Sequence, residues 1–74
     1  MANPKSIIRL DFVEGTTILE ALTEMKEKAI KFDVAYTTTI LNDIQIFVSQ
    51  STHIGKAFEK YQLAATEKKA YIVC

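Results

Sequence analysis

Val34-Ala-Tyr-Thr-Thr-Thr-Ile-Leu41, then Asn42-Asp43, then Ile44-Gln-Ile-Phe-Val-Ser49: the reading of this stretch decides the fold. Two runs rich in β-branched and aromatic residues flank a pair that tolerates a tight turn, which is the pattern of a β-hairpin. Register is the critical choice, because a one-residue slip exchanges the two faces of a strand. A two-residue Asn-Asp loop pairs Leu41 with Ile44 and turns Thr37 and Thr39 inward, leaving Tyr36 and Ile40 outside. A three-residue loop, Leu41-Asn42-Asp43, pairs Ile40 with Ile44, Thr38 with Ile46 and Tyr36 with Val48. That option gathers Val34, Tyr36, Ile40, Ile44, Ile46 and Val48 on one apolar face. It leaves Ala35, Thr37, Thr39, Gln45, Phe47 and Ser49 on the other. It segregates polarity better and is the expected register.

Outward from the hairpin, the periodicities change. Residues 1–5, containing Asn3-Pro4, read as a leader, since proline and its predecessor both resist helix. Ser6 to Val13 alternates, with Ile8, Leu10 and Phe12 on one face and Arg9 and Asp11 on the other. That predicts a half-buried strand ended by Gly15. Thr17-Ile-Leu-Glu20 has the form of a capping box, and Ile18, Leu22, Met25, Ala29 and Ile30 then recur at helical spacing, with Leu19 and Phe32 widening the stripe. After the hairpin, Ser51 or Thr52 can cap a second helix whose apolar stripe is Ile54, Ala57, Phe58, Tyr61, Ala64 and Ala65. Ala70-Tyr-Ile-Val-Cys74 is a short candidate strand.

The order βαββαβ predicts a single small α+β domain over residues 6–74 on the ferredoxin-like, or split βαβ, plan. The expected sheet is four-stranded and antiparallel, with the first and third strands central and both helices on one face. The other face is uncovered.

Size and charge then bound the function. A chain of 74 residues and 8.3 kDa buries only about 60–65% of its unfolded surface, so it has one modest core. Nine bases balance nine acids, and neither half carries the basic excess that phosphate recognition usually shows. The lone cysteine, Cys74, argues against a disulfide scaffold and for a reducing, cytoplasmic setting. The N-terminal residues have no apolar core of a signal peptide, and no run approaches the roughly 20 apolar residues of a membrane span.

The inventory for chemistry is thin. One His (His53) and one Cys (Cys74) do not make a nucleophile–base–orienter set, and no ligand spacing for a metal appears, so the chain is read as non-enzymatic, without cofactor or metal. Thr52-His-Ile-Gly-Lys56 lacks the second glycine and the Ser/Thr of a phosphate loop. By contrast, Asp43 is the one charged residue from Val34 to Ser51, and a long uncharged strand at a sheet edge is a liability that proteins cover or pair. The leading expectation is therefore a protein-association module, an adaptor or stoichiometric inhibitor, that binds itself as a homo-oligomer or binds a larger protein. Its contact would comprise Ile7, Arg9, Tyr36, Thr37, Thr39 and Phe47. The alternative is an oligomer that holds a small anionic ligand, such as a nucleotide, between subunits. Arg9, His53 and Lys56 would supply charge, and Tyr36 or Phe47 a stacking surface. Single-stranded nucleic acid on the open face ranks third, because Phe47 stands alone there and basic residues are few.

Overall fold

The computed structural model describes residues 3–74, with side chains from Ser6 onward. Six elements follow in the expected order: β1 Asn3–Arg9, α1 Ile18–Lys31, β2 Val34–Leu41, β3 Ile44–Ser49, α2 Ile54–Glu67 and β4 Tyr71–Val73. β1 begins inside the stretch read as a leader, whose first two residues lie outside the described ones.

The sheet differs from the expected one. Its strand order is β1-β2-β3-β4, with β1 parallel to β2, β2 antiparallel to β3, and β3 parallel to β4. The sheet is mixed, not antiparallel, and β2 and β3 are central instead of β1 and β3. In the split plan each helical crossover leaves a gap that another strand fills. Here each crossover closes onto its immediate neighbour. The composition of the strands accounts for this order. The nearly uncharged β2 and β3 take the two positions flanked on both sides, while β1, with Arg9 and Pro4, takes an edge. A proline costs no ladder hydrogen bond at an edge, and a charge there stays in water.

The hairpin register is also corrected. Leu41 pairs with Ile44, Thr39 with Ile46 and Thr37 with Val48, so the loop is the two-residue Asn42-Asp43. Both loop residues have positive φ, 49° and 65°, as a type I′ turn requires, and that turn matches the right-handed twist of the strands it joins. Polarity segregation fails as a guide because threonine carries a methyl as well as a hydroxyl. Thr37 is fully buried, yet its Oγ1 donates to the Met25 carbonyl oxygen at 2.8 Å. An unpaired hydroxyl at that depth would cost about 1–3 kcal/mol; a paired one costs little. Asn42 Nδ2 donates to the Tyr61 hydroxyl at 2.6 Å, which ties the turn to α2.

The turn supports a first prediction. Asp43 holds a left-handed conformation that glycine adopts without penalty. Asp43→Gly should stabilise the fold by up to about 1 kcal/mol. Calorimetry should show this as a melting temperature raised by at most about 4–8 °C. A lowered melting temperature would contradict the turn assignment.

Both helices pack on one face. Leu22 and Met25 of α1, Ile44, Ile46 and Val48 of β3, Ala57, Tyr61 and Ala64 of α2, and Ile72 of β4 form one cluster. Leu10 and Phe12, beyond the end of β1, pack against it. The Thr17–Glu20 capping box is present in both directions, with Thr17 Oγ1 accepting from the Glu20 amide and the Glu20 carboxylate from the Thr17 amide. The buried stripe of α1 is narrower than expected: Leu19, Ile30 and Phe32 are about half exposed, and the Lys28 and Lys31 ammonium groups lie 6.0 and 5.8 Å from the centre of the Phe32 ring. The α2 cap is His53 instead of Ser51 or Thr52.

Candidate functional site

Since the helices share one face, the opposite face of the sheet is built from alternate strand residues. Register places them in three rows. Ile7, Tyr36 and Ser49 form the first, Arg9, Thr38, Phe47 and Val73 the second, and Ile40, Gln45 and Tyr71 the third. Four of the apolar members are well exposed: Ile7 at 53%, Ile40 at 50%, Tyr71 at 62% and Val73 at 45%. Scattered exposed apolar residues are ordinary, but a contiguous patch marks a contact surface.

Short-range contacts hold the middle of this face together. The Tyr36 and Phe47 rings meet edge to face with centroids 6.3 Å apart. Such diagonal neighbours on adjacent strands are within reach of aromatic side chains. Gln45 Nε2 donates to Thr38 Oγ1 at 3.4 Å, and Thr38 is buried beneath its neighbours. Arg9 is the charged member of the rows. Its Nε lies 3.7 Å from Asp11 Oδ1, and both side chains are largely in solvent, so the pair adds little stability.

Of the residues expected at a protein contact, Ile7, Arg9, Tyr36 and Phe47 lie on this face. Thr37 and Thr39 do not. They are 0% and 3% exposed beneath the helices, a direct consequence of the two-residue loop. Ile40, Tyr71 and Val73 belong to the face and were missed. The same loop turns Ile40 outward, so the turn type was the available signal for it. Tyr71 and Val73 follow only from the pairing of β4 with β3, which no local pattern encodes.

The residues expected at an anionic ligand separate into two places. Arg9, Tyr36 and Phe47 are on the open face, whereas His53 and Lys56 line a cleft of about 250 Å³ at the start of α2, with Ser49, Thr52, Lys60 and Cys74. His53 Nδ1 accepts from the Lys56 amide at 3.3 Å, so the cap already uses a donor that an anion would need. Thr52 Oγ1 accepts from the Ser49 amide at 2.8 Å and donates to the Cys74 carbonyl oxygen at 3.0 Å, joining β3, α2 and the chain beyond β4. Burial pushes the Cys74 thiol above its ordinary pKa, against the opposing pull of Lys60. A protonated thiol is a poor nucleophile.

The two sheet edges are guarded differently from the face. β1 contains Pro4 and a register irregularity between Asn3 and Ile7. β4 has three residues, and Lys60 Nζ donates to the Val73 carbonyl oxygen at 2.9 Å. Short length, proline, irregularity and a covering lysine are the devices that keep strand edges from pairing with other chains. Among the described residues no group of three or more His, Cys, Asp or Glu side chains is placed to hold a metal ion, and no helix is long and apolar enough to cross a membrane. No protein-family profile, curated protein or solved structure matches this chain.

Proposed function

We propose that the chain is a non-enzymatic protein-association module whose contact surface is the open face of its sheet, acting in the cytosol as an adaptor or as a stoichiometric inhibitor of a larger protein. The observation that carries this reading is the uncovered patch of Ile7, Ile40, Tyr71 and Val73 around the Tyr36–Phe47 pair. The uncharged hairpin, taken alone, no longer supports it. Both hairpin strands are central, and their lack of charge is explained by that position.

A recovery experiment tests the surface. The chain, bearing an affinity tag, is compared with Tyr71→Glu on the face and Leu19→Glu, an exposed α1 residue on the helical side of the sheet. Protein recovered by the parent and by Leu19→Glu but lost with Tyr71→Glu supports the reading. Recovery that survives Tyr71→Glu removes it, as does no recovery at all.

A further inference from the structure

We infer that β4 is a strap that lifts from the sheet and closes onto it as a unit, latched shut by Thr52 and Lys60. Its consequence for the contact face rests on the proposed function; the lifting itself does not.

Packing singles out β4. Ile72 is the one buried side chain of its three residues. The other members of the core cluster belong to α1, β3 and α2, and α1 packs directly on both β3 and α2. Lifting β4 therefore removes Ile72 from the core without separating the rest. A segment with so little buried apolar surface opens at a lower free energy than the whole domain.

Two side chains from outside the strand offset that weak packing. Thr52, buried just before the α2 cap, donates from Oγ1 to the Cys74 carbonyl oxygen at 3.0 Å. Lys60 Nζ, from within α2, donates to the Val73 carbonyl oxygen at 2.9 Å. Backbone bonds complete the seat, with the Gln45 amide donating to the Ala70 carbonyl oxygen and the Cys74 amide to that of Phe47, each at 2.9 Å.

The open face depends on this seat. Tyr71 and Val73 are two of its four well-exposed apolar members, and both leave it when β4 lifts. The closed strap completes the contact surface, and the lifted strap withdraws half of its exposed apolar side chains.

Native-state hydrogen exchange of the intact chain, read by NMR with no partner present, tests the strap. Successive β3 amides face opposite neighbours: Gln45 bonds toward β4 and Ile46 toward Thr39 of β2. Gln45 and Cys74 should share one protection factor, at least about tenfold below that of Ile46. Thr37→Val, which removes the bond to the Met25 carbonyl and touches no β4 bond, should lower the protection of Ile46 alone. Thr52→Val should lower that of Gln45 and Cys74 about tenfold and Lys60→Met about threefold, while Thr52→Ser retains the parent values. If Thr52→Val fails to fold, Lys60→Met, at an exposed bond, carries the test. Unequal protection of Gln45 and Cys74, or a common value with Ile46 that moves with it in Thr37→Val, overturns the strap. Gln45 and Cys74 unmoved by Lys60→Met and by any folded Thr52→Val overturn the latch. Either failure leaves the contact face standing, whereas recovery that survives Tyr71→Glu removes the face and leaves the strap.

Discussion

Ile46→Ala should lower the unfolding free energy by about 2–5 kcal/mol, the range for truncating a fully buried isoleucine. Ile46 has no exposed surface, pairs with Thr39 on one side and Ile72 on the other, and belongs to the cluster beneath both helices. A domain of this size typically has about 4–11 kcal/mol in total, so the loss is a large share of it. Urea titration would show a lower midpoint with an unchanged slope. A cost below about 1 kcal/mol would mean that Ile46 is not at the centre of the core.

A neighbouring pair on β2 gives the second large effect. Thr39→Lys places an ammonium group at a position 3% exposed, with no acid among the residues of the core cluster to receive it. An uncompensated buried charge costs several kcal/mol, enough to abolish cooperative folding here. Ile40→Lys, one residue along, points into solvent and should change stability by no more than about 1 kcal/mol. Thermal melts of the two variants read this directly. A three-residue loop would reverse the ranking, so a folded Thr39→Lys beside an unfolded Ile40→Lys would refute the register.

The contrast shows what the sequence made legible. The number, type and order of the elements follow from periodicity, because alternation and helical spacing are properties of contiguous residues. Likewise, the Thr17–Glu20 capping box is a local device and appears as read. Strand neighbours are not local. The order βαββαβ is compatible with crossovers that leave a gap and with crossovers that do not, and the discriminating clues were distributed. Pro4 and Arg9 mark an edge strand; the nearly uncharged Val34–Ser49 marks the centre. Reading the uncharged hairpin as an exposed liability inverted its meaning. Threonine misled in a similar way, since a hydroxyl counts as polar until a helix carbonyl such as that of Met25 receives it. Half of the face was visible through Ile7, Arg9, Tyr36 and Phe47. The β4 half required knowing which strand lies beside β3.

The order β1-β2-β3-β4 also has a kinetic consequence. The hairpin is the one strand pair that a two-residue turn can form; each parallel pair must wait for a crossover spanning residues 10–33 or 50–70. Closing those longer loops costs more entropy before any contact repays it. Assembly is therefore expected to proceed from the middle outward, with β2 and β3 paired in the transition state and β1 and β4 docking after it. The gain from Asp43→Gly should then appear as faster folding at a nearly constant unfolding rate in stopped-flow traces. Until β1 and β4 dock, the outer sides of β2 and β3 stand open to another nascent chain; once they have docked, the sheet presents only its guarded edges.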